Sequence, residues 1–189
     1  MLNFKKKDIF TISNFISFLR ILLFFPIYYT LSNLQVDDSF RYYTLGLFLL
    51  AYLTDISDGY LARKFNQVTE VGKIIDPLAD KILVALIVIQ LYLQNDIPAY
   101  YFYIIIGRDL LIFTGGIYVS RKINFVLPSN YVGKGTVVSI GLFFILVVLG
   151  TKTTIPVLYF FVEYLSILLS IISVAVYARR GYIEIKEHK

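Results

Sequence analysis

The chain has 189 residues, of which 58% are hydrophobic and only 16% charged, with a mean hydropathy of +0.72. That composition excludes a soluble globular domain and belongs in a bilayer. The formal charge of +5 is no nucleic-acid signature, because the basic residues follow the two sides of a membrane, and the absence of Cys excludes disulfides and thiolate metal sites.

There is room for about six spans of ~20 residues with short connections and no separate soluble domain, so residues 1–189 read as a single membrane domain. Lys5, Lys6 and Lys7 make a basic start suited to an anionic membrane surface. The apolar stretch after them continues through Pro26 towards Leu31, unlike the short core of a cleaved signal peptide. Ile9–Asn33 therefore reads as a short interfacial segment followed by a first span, with Asn14, Ser17 and Arg20 at spacings of three on one face. Arg20 reads either as a cation snorkelling at the cytoplasmic edge or as part of a site.

Ser32–Arg41 is polar and reads as a loop on the far side. The second span is expected over about Tyr42–Leu61, a turn over Arg63–Glu70, and the third span over about Val71–Leu93, with Pro77 early in it. Gln94–Pro98 is a short far-side loop. The fourth span, about Ala99–Val119, carries Arg108 and Asp109 after Gly107, either as a mutually satisfied structural pair or as groups facing a polar cavity. Ser120–Tyr131 reads as a near-side loop. The fifth span, about Val132–Leu149, opens on Gly133-Lys134-Gly135, where Lys134 serves either the site or membrane topology. Gly150–Thr154 turns the chain into a sixth span, about Ile155–Tyr177, and Ala178–Lys189 reads as a polar tail. Glu163, within the sixth span, has no role assigned by the sequence, a structural partnership with a cation being one reading, and the terminal His188 is expected to be solvated.

This layout puts Lys5, Lys6, Lys7, Arg63, Lys64, Lys73, Arg121, Lys122, Lys134, Arg179, Arg180, Lys186 and Lys189 on one side and only Arg41 and Lys152 on the other. By the positive-inside rule both termini are cytoplasmic. The expected fold is thus an all-α integral membrane protein of six transmembrane helices, with no internal repeat of the transporter kind.

Chemistry concentrates in Asp55–Asp80, D-I-S-D-G-Y-L-A-R-K-F-N-Q-V-T-E-V-G-K-I-I-D-P-L-A-D. Asp55/Asp58 and Asp76/Asp80 lie at spacings of three and four, so each pair shares one helix face at the cytoplasmic end of a span. Carboxylates at membrane depth are costly and mark functional sites. Without His or Cys they suit a hard cation such as Mg²⁺, Mn²⁺ or Ca²⁺. Gly59 and Ala62 share the face of Asp55, Gly72 that of Asp76, and Arg63 can reach an anionic group beside them.

A divalent-cation channel or carrier would want its carboxylates deep along a path. These cluster at two helix ends, which suits a metal enzyme acting on a phosphate ester at the interface. Two ions about 4 Å apart clamp a pyrophosphate and stabilise a leaving phosphate. A spare carboxylate can take the proton of an attacking hydroxyl.

The stretch resembles the signature of the CDP-alcohol phosphotransferases, D-x2-D-G-x2-A-R-x8-G-x3-D-x3-D, complete here as Asp55, Asp58, Gly59, Ala62, Arg63, Gly72, Asp76 and Asp80. The resemblance implies a six-helix bundle, commonly dimeric, in the bacterial cytoplasmic membrane with its active site facing the cytoplasm. It implies transfer of a phosphatidyl group from a CDP-linked lipid such as CDP-diacylglycerol to an alcohol, with release of CMP. Asp55, Asp58, Asp76 and Asp80 would hold two divalent ions, Mg²⁺ or Mn²⁺, and Asp80 would also be the general base. Asp58, Gly59, Ala62, Arg63, Thr69 and Gly72 would contact the CDP-lipid, with Asn14 from the first helix.

Along its whole length, including Arg20, Pro26 and Leu78–Lys81, the chain is similar to bacterial phosphatidylglycerophosphate synthases. Glycerol 3-phosphate is then the expected acceptor, with Arg20, Arg108 and Lys134 as its cations. Two cations common in those synthases are replaced here by Gly116 and Thr136. Gly107–Ile112 with Arg121 resembles the cardiolipin synthases of the same superfamily, whose acceptor is phosphatidylglycerol. Inositol phosphate and serine complete the acceptors implied.

Overall fold

A computed structural model describes residues 18–64, 72–123 and 130–187; the side chains of 58–64 and 72–80 lie outside that description. No strand occurs among the described residues. The chain divides into two compact units, Met1–Gln94 and Asn95–Lys189.

In the first unit, α1 (Phe24–Ser32) follows a helical stretch at residues 18–22 that is interrupted at Leu23. Pro26 accounts for the interruption: it has no N–H to give, and its ring crowds the carbonyl four residues back, at Leu22. Ile27, Thr30 and Leu31 form the buried stripe of α1, facing α2 (Ser39–Lys64) and α3 (Gly72–Leu93). Gln90 Nε2 on α3 donates to Ser32 Oγ at 3.0 Å, and Leu83, Ile87, Val88 and Leu91 are the buried side of α3.

The turn from α1 to α2 is held by Asp37, whose carboxylate accepts from Ser39 N at 2.8 Å. That backbone hydrogen bond, with the Ser39 side chain, holds the Asp37 carboxyl below its ordinary range. Tyr29 meets Phe40 edge-on across the turn, with ring centroids 5.9 Å apart, so α1 and α2 form an antiparallel hairpin. At the end of α3, Asn95 takes a left-handed φ of 63°, a conformation that Asn tolerates and that commonly stops helices.

The second unit holds α4 (Ala99–Ile123), α5 (Tyr131–Val148), the short α6 (Thr151–Thr154) and α7 (Pro156–Glu187). Tyr101 hydrogen-bonds Ser166 at 3.0 Å, and seven residues further along both helices Arg108 meets Ser173 at 3.2 Å. Contacts that ascend together on both elements mean that α4 and α7 run parallel. Those of α5 with α7 descend instead: Thr136 Oγ1 donates to Leu169 O at 3.1 Å, whereas Phe143 packs on Tyr159 with centroids 5.1 Å apart. Hence α5 runs antiparallel to both, as three successive crossings of a membrane require.

Polar groups point inward in this unit. Glu163, Ser166, Ser170 and Ser173 recur at spacings of three and four along α7 and are at most 1% exposed, while Val157, Phe161, Leu168 and Ile171 face outward. Small side chains let helices approach closely where lipid, not water, surrounds the bundle.

Ala99–Ile123, Tyr131–Val148 and Pro156–Glu187 are long and apolar enough to cross a membrane, and Phe18–Ser32 and Lys81–Leu93 are shorter apolar helices among the described residues. Several boundaries differ from the sequence expectation, among them those of α2, which covers Ser39–Lys64 where Tyr42–Leu61 was expected. Gly150, at a left-handed φ of 67°, starts the one-turn helix α6 where a plain turn was expected. Helix α4 continues four residues past Val119, and α7 runs ten past Tyr177 through most of the expected tail. Each extension supports the other: Tyr177 and Ile185 pack on Val119 and Ile123.

Candidate metal and acceptor sites

The end of α2 carries Asp55, Asp58, Gly59, Ala62 and Arg63, and the start of α3 carries Gly72, Asp76 and Asp80. Both pairs of aspartates are therefore on helical backbone, at the spacings that put each pair on one face. Among the four, the side chain of Asp55 is described. It is 47% exposed, and Arg20 Nη1 lies 3.1 Å from its Oδ1. Arg20 is 2% exposed, so a fully buried guanidinium holds a carboxylate that opens outward. Asn14, Ser17 and Thr69 lie outside the described residues, as do the side chains of Asp58, Ala62, Arg63, Asp76 and Asp80.

The donor chemistry fits a divalent metal. Asp55 offers a half-exposed oxygen pair steadied by a buried cation, and every candidate ligand on α2 and α3 is a carboxylate.

The second unit contains Arg108. Its Nε donates to Ser173 Oγ, and Nη1 forms an ion pair with Asp109; Arg108 and Asp109 are 10% and 22% exposed. Arg108 also borders the start of α5, since a Cβ built on Gly133 would lie 4.0 Å from Nη2 and 3.2 Å from Asn130 Oδ1. Asn130 caps this helix by accepting from Gly133 N at 2.6 Å. Lys134 is exposed, with Nζ 6.0 Å from the Tyr131 ring centroid. The structure thus brings Arg108 to the first turn of α5, where Lys134 also sits.

The two positions where synthase-type cations are missing lie within the packed α4–α5–α7 unit. A Cβ on Gly116 would lie 3.5 Å from the Tyr177 hydroxyl, and Thr136 is fully buried, with its hydroxyl on Val132 O and Leu169 O. For Glu163, which the sequence left without a role, the partner among the described residues is the hydroxyl of Tyr100, which donates to Oε1, and not a cation. Ser173, Asn130 and Tyr100 escaped sequence reasoning. The serine spacing on α7 was the one available signal.

The sequence profile of the CDP-alcohol phosphatidyltransferase family matches residues 10–176. The chain belongs to that family. As a class this family depends on divalent metal, in keeping with the donor set on α2 and α3. The chain is similar to the CDP-diacylglycerol–glycerol-3-phosphate 3-phosphatidyltransferase of Rickettsia bellii, 46% identical over 66 residues, which is 35% of this chain and 36% of that protein. The enzyme of the same name from Aquifex aeolicus is 37% identical over 101 residues, 52% of this chain and 56% of that one. Human cardiolipin synthase (CMP-forming) is 40% identical over 113 residues, 59% of this chain and 36% of that one. The matched stretches thus cover between about a third and somewhat over half of these relatives.

Proposed function

We propose that this CDP-alcohol phosphatidyltransferase moves a phosphatidyl group from CDP-diacylglycerol to glycerol 3-phosphate, giving phosphatidylglycerophosphate and CMP. One observation carries the reading: the family profile spans residues 10–176 and encloses all eight signature positions from Asp55 to Asp80. The names of the Rickettsia and Aquifex relatives support the choice of acceptor.

In this reading Asp55, Asp58, Asp76 and Asp80 hold two divalent ions, Mg²⁺ or Mn²⁺. When bound, such ions neutralise a pyrophosphate and the phosphate that leaves it. Asn14, Asp58, Gly59, Ala62, Arg63, Thr69 and Gly72 bind the CDP-lipid. The small residues let its phosphates approach the backbone, and Arg63 pairs with their charge. Asp80 accepts the proton of the acceptor hydroxyl as its oxygen bonds to the lipid-linked phosphorus. The bond from that phosphorus to the bridging oxygen breaks, and CMP departs with the electron pair. Arg108 of α4, which borders the first turn of α5, and Lys134 in that turn supply charge for the acceptor.

The same reading takes the two units as one domain of six spans in a bacterial cytoplasmic membrane, both termini and the aspartates on the cytoplasmic side, working as a homodimer. The unequal sharing of Lys and Arg between the two sides supports the orientation.

A second reading, cardiolipin synthesis with phosphatidylglycerol as acceptor, is favoured by one observation. Gly116, which faces Tyr177, carries no side chain and Thr136 is buried, so neither position supplies a cation for a phosphomonoester. The deciding experiment follows CMP release from CDP-diacylglycerol by purified protein with Mg²⁺ or Mn²⁺, with and without EDTA. Separate reactions offer glycerol 3-phosphate, phosphatidylglycerol, serine and inositol phosphate. Metal-dependent release with glycerol 3-phosphate alone is expected. Release with phosphatidylglycerol alone would select the second reading, and silence with every acceptor would reject both.

A further inference from the structure

We infer that Arg20 is a positioning residue for the metal-binding carboxylate of Asp55, a role that rests on the metal reading proposed above. The stretch at 18–22 continues the inward stripe of α1, since Arg20 stands seven and eleven residues before Ile27 and Leu31. Its side chain therefore shares the face that packs on α2 and α3. Within the α1–α2 hairpin, Tyr29 and Phe40 meet beside the turn, and Arg20 and Asp55 meet at the opposite end. At 1.5 Å per residue the two contacts lie roughly 15–20 Å apart along the helices.

The asymmetry of the pair carries the inference. A surface ion pair joins two mobile, hydrated side chains and fixes neither. Here the guanidinium is 2% exposed and the carboxylate 47% exposed, so one partner is anchored and the other faces outward. A buried Arg needs a compensating anion, and its planar head fixes the direction from which a carboxylate oxygen approaches. Nη1 lies 3.1 Å from Oδ1 of Asp55, and in this inference that contact orients the carboxylate for a cation. Groups of this kind, one bond removed from the metal, orient its ligands.

The charge of Arg20 acts in the opposite direction. A cation beside a cation site repels the metal, so a purely electrostatic effect would make its removal tighten binding. Positioning and charge therefore predict opposite signs, which makes the role testable.

The test measures Mn²⁺ binding to the full chain in detergent, by the loss of the free-ion electron paramagnetic resonance signal, without turnover. Arg20→Met removes charge and fork together and is expected to weaken Mn²⁺ binding about 10- to 100-fold. Arg20→Lys keeps the charge and loses the planar fork; several-fold weaker binding is expected, and this variant serves if Arg20→Met fails to fold. Unchanged or tighter Mn²⁺ binding in a folded Arg20 variant would overturn the inference. So would wild-type Mn²⁺ binding with a raised KM for glycerol 3-phosphate alone, which would make Arg20 an acceptor ligand. A wild-type chain that binds no Mn²⁺ would overturn the metal reading itself, and the inference with it.

Discussion

Arg108 on α4 donates through Nε to Ser173 Oγ on α7 at 3.2 Å, and Ser173 gives its own proton to the carbonyl of Ser170 at 2.8 Å. The second bond fixes the polarity of the first: with its proton committed, the serine oxygen is left to accept. Asp109 engages Nη1 from the other side, and the remaining arm of the guanidinium borders Gly133. Arg108 is thus held in one orientation by groups on two helices, at the level where α5 begins.

The acceptor role proposed for Arg108 would separate acceptor binding from donor binding. Arg108→Ala is expected to raise the acceptor KM strongly and to leave the KM for CDP-diacylglycerol nearly unchanged. Ser173→Ala removes one charge-assisted hydrogen bond, worth about 1.5–3 kcal/mol, and should raise the acceptor KM by roughly tenfold or somewhat less once the freed guanidinium relaxes. Steady-state kinetics with each substrate varied in turn measures the split. An unchanged acceptor KM in Arg108→Ala would make Arg108 and Asp109 a structural pair.

Asp80→Asn changes the proposed base and a metal-ligand oxygen together. The amide cannot take a proton from a hydroxyl, while its size and shape match the acid. Folding and CDP-diacylglycerol binding should survive, and transfer should fall by at least about 100-fold, the lower range of general-base contributions. Single-turnover CMP release alongside a binding assay for the CDP-lipid checks this. Near-wild-type transfer would remove Asp80 from the chemistry.

Glu163 offers a test of stability apart from catalysis. It is 1% exposed; the hydroxyl of Tyr100 donates to Oε1, and Oε2 is buried with no hydrogen-bond partner among the described residues. Tyr100→Phe strands a buried acceptor and is expected to cost about 1–3 kcal/mol. Glu163→Gln keeps an oxygen for the tyrosine and replaces the stranded atom by a neutral amide, so it should match or exceed the wild type in thermal unfolding in detergent. Marked destabilisation by Glu163→Gln with a neutral Tyr100→Phe would show that the carboxylate has a different partner.

The aspartate spacing was legible because a helix repeats every three to four residues, whatever surrounds it. Most helix boundaries were legible for a related reason: Pro98 and Gly150 act on their own backbone. What sequence could not supply was the partner of each polar residue. Arg20 read equally well as a snorkelling cation, and only the α1–α2 hairpin brings it to Asp55. Glu163 suggested a cation, although a tyrosine one helix away meets it. The last ten residues of α7 looked like a solvated tail because Arg179, Arg180 and Glu184 are polar. Their helix is explained by Tyr177 and Ile185 packing on an α4 longer than expected.

The direction of the helices in the second unit makes the membrane orientation testable. Since α4 and α7 run parallel and α5 opposes them, the end of α4, the start of α5 and the end of α7 share one side. That side gathers Arg121, Lys122, Lys134, Arg179, Arg180 and Lys186, and the other holds Lys152. The positive-inside rule assigns the first to the cytoplasm. The chain has no cysteine, so single cysteines report without a background. Thr153→Cys, exposed on α6, should react with a membrane-impermeant maleimide on intact cells. Glu187→Cys, exposed at the end of α7, should react only after permeabilisation. The reverse pattern would invert the topology and carry the Arg108 region to the outside, away from cytosolic glycerol 3-phosphate. Labelling of both positions from outside would mean that α7 does not span the membrane.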